Sequence, residues 1–116
     1  MNVYDTGWVA CNDWTNQHLG DAVGGNVNHG LDAPLSELIV KALISTDGTD
    51  ANSFEAMDFM ADAAVANYGY QVLAVDNDNI KVQTGNGGLL QAADATGFAV
   101  VIDTEAWYYK IKVYKP

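Results

Sequence analysis

The stretch Trp107-Tyr108-Tyr109-Lys110-Ile111-Lys112-Val113-Tyr114-Lys115 carries the strictest alternation in the chain. Trp107, Tyr109, Ile111 and Val113 fall on one side of an extended backbone. Tyr108, Lys110, Lys112 and Tyr114 fall on the other. A period of two with one apolar face is the pattern of a half-buried strand. Three of the five lysines sit in this segment, so its second face is expected to meet water or acidic neighbours. Tyr108 and Tyr114 alternate with those lysines and are therefore candidates for an exposed contact face.

Working back from this strand, the same grammar repeats. Phe98-Ala99-Val100-Val101-Ile102 is almost wholly apolar and reads as a strand covered on both sides. Leu89 to Ala93 is a shorter strand, closed by Asp94-Ala95-Thr96-Gly97. Ile80-Lys81-Val82-Gln83-Thr84 alternates and stops at Gly85-Asn86-Gly87-Gly88. Tyr70-Gln71-Val72-Leu73-Ala74-Val75 precedes it across the turn-forming run Asp76-Asn77-Asp78-Asn79. In the first half, Thr6 to Ala10 is a short strand after an extended start. Glu37 to Ser45 is a long one, entered through Pro34 and ended by Asp47-Gly48. Trp14 to Leu19 reads as a weaker strand, followed by a Gly/Asn-rich loop from Gly20 to Gly30.

Residues 53–66 read two ways. Asn52 and Glu55 have the spacing of a capping box, and Phe54, Met57, Ala61, Ala64 and Val65 share one helical face. Ser53 to Met60 reads equally as an edge strand running into a loop. Strands every ten residues or so, with Gly/Asn/Asp turns between them, predict a mostly β protein. The architecture expected is a single antiparallel β-sandwich domain over residues 1–116, with about six to eight strands. Parallel α/β folds need repeated crossover helices, and at most one is on offer here.

Composition limits the partners. Fifteen Asp and Glu stand against five Lys and no Arg, a formal charge of -10 in 116 residues. Such a chain repels phosphate backbones and anionic lipid, which argues against nucleic acid and membrane surfaces. Cys11 is the one cysteine; no intrachain disulfide can form, and a small buried hydrophobe is the expected role. No apolar run is long enough to span a membrane. The opening Met1-Asn2-Val3-Tyr4-Asp5 lacks the basic and apolar regions of a signal peptide, so none is expected.

The search for chemistry yields turns. His18 and His29, set against Asp21 or Asp32, do not have the spacing of a ligand motif. Ser36, Ser45 and Ser53 lack a Gly-x-Ser-x-Gly elbow. Asp47-Gly48-Thr49-Asp50-Ala51-Asn52 and Asp76-Asn77-Asp78-Asn79 offer oxygens to calcium but miss the twelve-residue pattern of a helical hand. Asp and Asn making local backbone bonds account for both. The reading is therefore no catalytic residues, no metal and no cofactor. What remains is aromatic: three Trp and six Tyr exceed what a thin sandwich hides. Trp8 and Trp107 are expected in the core. Tyr108, Tyr114, Trp14 and Tyr68 are the candidate interface or ligand contacts.

Several short motifs, in order, resemble a module of tailed-phage and marine-virus virion proteins. They are Asp5-Thr6-Gly7-Trp8, His29-Gly30-Leu31 with Pro34, the strand Leu38-Ile39-Val40, and Ile44-Ser45-Thr46-Asp47-Gly48-Thr49-Asp50. Ile80-Lys81-Val82-Gln83-Thr84-Gly85 and Trp107-Tyr108-Tyr109-Lys110-Ile111 continue the series. The first half is also loosely similar to H-type lectin domains, six-stranded sandwiches that assemble as trimers. The turn His29-Gly30-Leu31-Asp32 departs from the module's usual Asn and Gly. The Arg and paired aromatics of an H-type lectin site have no clear match. The resemblance implies a bacteriophage structural protein located on the virion: a fibre, spike or capsid-decoration subunit. It would act as a homotrimer, bound to other virion proteins and without enzymatic activity. The absence of a long shaft favours a compact decorating or tip subunit. The alternative it implies is a lectin-like module binding a host-surface glycan.

Overall fold

A computed structural model of the chain describes residues 2–11, 18–19, 26–56, 61–62, 67–85, 90–91, 100–101 and 106–116; for 18–19, 61–62, 67–68, 90–91 and 100–101 it defines strand pairing alone. The strands are β1 (Asn2–Asp5), β2 (Val9–Ala10), β3 (His18–Leu19), β4 (Asn26–Asn28), β5 (Ile39–Ser45), β6 (Ser53–Glu55) and β7 (Ala61–Asp62). They continue as β8 (Asn67–Tyr68), β9 (Tyr70–Ala74), β10 (Asn79–Thr84), β11 (Leu90–Gln91), β12 (Val100–Val101) and β13 (Tyr108–Lys115). Short 3-10 turns at Leu35–Glu37 and Asp50–Asn52 lead into β5 and β6. The fold is mostly β, with two antiparallel sheets facing one another, as the alternation predicts. Among the described residues no helix is long and apolar enough to cross a membrane.

Each main sheet is built on one long strand. In the five-stranded sheet this is β13, which pairs with β5 along Tyr108–Tyr114. Its other edge is shared by β1, at Lys112–Lys115, and β2, at Tyr108–Tyr109. β6 extends the sheet beyond β5. In the four-stranded sheet the centre is β10, with β9 along one edge and β3 and β4 sharing the other. Two further hairpins, β7–β8 and β11–β12, complete the described pairing. Segments outnumber the six to eight expected because two edges are broken into short pieces and the pairs β7–β8 and β11–β12 add four more.

The core lies between the sheets. Ala42, Ile44, Tyr109, Ile111 and Val113 come from one sheet, and Val27, Tyr70, Ile80 and Val82 from the other, all buried. Ile44, Ile80, Val82, Ile111 and Val113 are 0% exposed. Each is a β-branched residue on the inward face of an alternating strand, where such side chains pack best. Cys11 is buried among them as a small apolar residue, as expected.

Two readings change, and one left open between helix and edge strand is decided. Asn26–Asn28 lies in the expected Gly20–Gly30 loop and is a strand, because Val27 is buried opposite Ile80. Ser53–Glu55 forms a strand, and the capping box between Asn52 and Glu55 is not used. Pairing of Ser53, Phe54 and Glu55 with β5 outweighs the local helical preference. The rest of 53–66 is described only at β7, also a strand, and the remainder lies outside the described residues. Trp8, expected in the core, stands outside any strand and is only half-buried.

Candidate functional site

Between β1 and β2 the chain makes a bulge. Asp5 pairs with Lys112 and Val9 with Tyr109, so three residues, Thr6, Gly7 and Trp8, oppose two, Lys110 and Ile111. Three devices close it. The Thr6 amide donates to the Ile111 carbonyl at 3.1 Å, and the Ile111 amide donates back to Thr6 Oγ1 at 3.0 Å, which restores the ladder. Asp5 Oδ1 accepts the Gly7 amide at 2.7 Å. Gly7 takes φ of 71°, a left-handed value that suits the one residue without a Cβ. The Asp5-Thr6-Gly7-Trp8 motif is thus an architectural joint.

The bulge throws Trp8 over the outer face of the sheet. Its indole Nε1 donates to Asp50 Oδ1 at 3.0 Å. Lys110 lies beneath, with Nζ 4.7 Å from the centre of the Trp8 ring, 3.0 Å from Asp50 Oδ1 and 3.7 Å from Asp5 Oδ2. Lys110 is only 8% exposed. A nearly buried ammonium needs this pairing, which the carboxylates and the ring face supply together. Hydrogen bonds from Lys110 and Trp8 hold the Asp50 carboxyl below its usual range. Sequence alternation placed Lys110 on the outer face and gave it acidic neighbours. It could not show that Trp8 covers it, because the cover comes from more than a hundred residues away.

The outer face grades from covered to open along β13. At the Tyr108 end, the bend after β5 folds back over the sheet. Ser45, fully buried, accepts the Gly48 and Thr49 amides at 3.0 Å each and donates to the Thr49 carbonyl at 2.8 Å. Asp47 accepts Thr49 Oγ1 and Asn52 Nδ2, both at 2.6 Å, and these bonds hold its carboxyl below the usual range. The oxygens once open to calcium are therefore engaged within the turn. Tyr108 packs against Gly48, where an added Cβ would lie 3.4 Å from its ring. The next row is Lys110 with Leu43 and Glu55, then Lys112 with Asp5 and Lys41. Lys41 and Glu55 form an ion pair at 3.3 Å, and Lys112 lies 3.9 Å from Asp5. The last row is Val3, Tyr114 and Ile39, neighbours by register. Val3 is 47% and Ile39 53% exposed.

Of the four candidate contacts, Tyr114 stands in this open row, with Lys112 Nζ 5.4 Å from its ring centre. Tyr108 is half-buried under the bend, six residues away, or about 20 Å along the strand. The two do not form one patch. Tyr68 pairs with Ala61 in β8, and its side chain lies outside the described residues, as does Trp14. Sequence reading missed Val3 and Ile39, since a single apolar residue on an outward face carries no signal until register places its neighbours. Trp107 packs where expected, edge-on to Phe54 at 6.1 Å beside the core.

The second motif turn docks the sheets together. After β4, the His29 and Gly30 amides donate to the Asp78 carbonyl, and the Ala33 amide to the Asn77 carbonyl. The Asp32 amide donates to Asp78 Oδ1 at 3.0 Å. From the other sheet, Lys115 Nζ donates to the Leu31 and Asp32 carbonyls at 3.0 and 3.2 Å. His29 is 4% exposed; its Nδ1 accepts the Leu31 amide at 3.0 Å, and its Nε2 finds no partner among the described residues. Burial lowers its pKa against the opposing pull of Asp78 and Asp76. Both imidazole and turn are structural in this arrangement.

Among the described residues, clefts open beside the sheets. One of about 250 Å³, between β1–β2 and β4, is lined by Tyr4, Thr6, Val9, Asn26, Val27, Asn28 and Tyr109, without a charged side chain. Another, about 290 Å³ along β5, contains Lys41 and Glu55, which engage each other. Among the described residues, no group of three or more His, Cys, Asp or Glu is placed to hold a metal. Compared with family models, curated proteins and solved structures, the chain matches none of them.

Proposed function

We propose that the chain is a structural subunit of a virus particle, acting by binding and assembly without catalysis. The observation that carries this reading is the outer face of the five-stranded sheet. There exposed Val3 and Ile39 flank half-buried Tyr114 in an apolar row beside a set of satisfied ion pairs. Apolar residues adjacent on an outward sheet face suit contact with another protein surface. The ordered motifs from Asp5-Thr6-Gly7-Trp8 to the final strand supply the particle as the setting. In this reading the protein decorates the capsid or tips a fibre, as a homotrimer contacting other virion proteins.

A second reading, a lectin-like module taking a host-surface glycan, draws on the uncharged cleft beside Tyr4 and Tyr109. Mixing the purified protein with particles that lack it separates the two. Co-sedimentation with the particles is the expected result. Failure to bind them, with binding to host cells instead, would reverse the order of the readings.

A further inference from the structure

We propose that the outer face of the five-stranded sheet is the surface on which a second copy of this chain docks. The inference rests on the assembly reading and gives it a partner and a place. Its basis is charge. Lys41, Lys110 and Lys112 on this face are each within 4 Å of a carboxylate of Asp5, Asp50 or Glu55, as ion pairs of 3.3, 3.7, 3.0 and 3.9 Å. On the open part of the face three cations and three anions cancel; Asp47, in the bend over the covered end, is engaged by Thr49 and Asn52 within its own turn. The other twelve acids of the chain are answered by only two lysines, Lys81 and Lys115. In a protein of charge -10, two copies meeting through most surfaces repel; through this one they do not.

The same face is self-complementary. Its lysines lie on the two central strands, β13 and β5, and carboxylates on the two flanking ones, Asp5 on β1 and Glu55 on β6, so a copy displaced sideways sets its acids against the first copy's lysines. The open row of Val3, Tyr114 and Ile39 supplies the apolar contact, and the covered Tyr108 end does not compete for it. The four-stranded sheet has no equal. Its exposed Leu73 and Val75 stand beside Asp76 and Asp78, and Lys81 is the sheet's one lysine. A partner presenting a strongly charged face of either sign gains little from a neutral one, whereas a copy presents the same ion-paired face.

Four strands of about 4.8 Å spacing and the five residues of β13 beyond the covered end, at about 3.3 Å each, give a flat footprint of roughly 300 Å². That is well under half of the roughly 800 Å² a standard interface takes per partner, so association is weak and rises with concentration. Light scattering from micromolar to millimolar protein tests it. The expected mass climbs from 12.4 kDa toward two or three copies. Ile39→Lys, at an exposed position that leaves the fold intact, weakens association at least about tenfold. Lys41→Glu, which makes the face acidic, does the same. Leu73→Lys, on the other sheet, leaves association unchanged. A monomer throughout overturns the inference, and so does an oligomer that Leu73→Lys weakens as much as Ile39→Lys. Particle binding by a monomeric protein would leave the structural-subunit reading standing while removing this one.

Discussion

The two main sheets share a plan and differ in what they do with it. Each has one long strand, β13 or β10, with a full-length partner on one side and two short segments on the other. Around β13 the break is a three-residue bulge, sealed by Thr6 and Asp5 and capped by Trp8. Around β10 the two short segments are β3 and β4, which meet the centre strand at adjoining positions, Val82 and Lys81. The sealed edge carries the ion-paired outer face. The other sheet ends in the acidic turn on which His29 docks. One topology thus yields a neutral surface and an acidic one, and side chains placed by turns make the difference.

That comparison breaks most readily in the core. Ile111→Ala in β13 and Ile80→Ala in β10, both fully buried, should each cost about 2–5 kcal/mol in urea unfolding. Matching losses would show that the sheets form one cooperative unit; separate transitions would refute it. The bulge comes next. Gly7→Ala meets no atom within 4 Å, so its cost is backbone strain alone, about 1–2 kcal/mol. Gly7→Asn should lose less, since Asn accepts the left-handed conformation more readily than Ala.

Acid separates the two sheets further. His29 is held neutral, with a folded pKa below its usual 6.5, so the stability it contributes is present above 6.5 and is lost as pH falls toward the folded value. Asp47, Asp50 and Asp76 are depressed from 3.8, so theirs is present above 3.8 and lost only at lower pH. Melting between pH 7 and pH 5 should therefore respond to His29→Asn. Asn keeps an acceptor for the Leu31 amide without titrating, so the loss in this window should shrink. An unchanged pH profile would show that His29 does not govern it. The smallest effect is Glu55→Gln on the outer face. With Lys41 and Glu55 side chains 47% and 70% exposed, it should shift stability by less than about 1 kcal/mol.

How far the sequence could be read follows from where each signal lives. β10 and β13 are legible because their alternation is local, and β5 and β9 because β-forming runs are bounded by turn residues, Pro34 and Asp47-Gly48 for one and Asp76–Asn79 for the other. Asn26–Asn28 is not, since only Val27 is apolar and its burial depends on Ile80, more than fifty residues on. The capping box at Asn52 failed for the same reason: β5 decided the conformation of Ser53–Glu55. At the site, alternation sets Tyr114 and Lys110 on the outer face and anticipates Lys110's acidic company. Trp8 was misplaced because a bulge, unlike a strand, reverses the expected side. The apolar row was invisible without the register that sets Val3, Tyr114 and Ile39 side by side.

The pairing of Asn2 with Lys115 has a practical corollary. Residues facing each other in an antiparallel ladder are about 5 Å apart at Cα. The two ends are therefore close enough for a short peptide to join them, and the chain could be reopened at another loop with every strand pair kept. The same closeness puts any tag, at either end, next to Val3 and Tyr114. A purification handle could thus mask the row it is meant to help study, and cleaving the handle before weighing the particle in solution removes that interference.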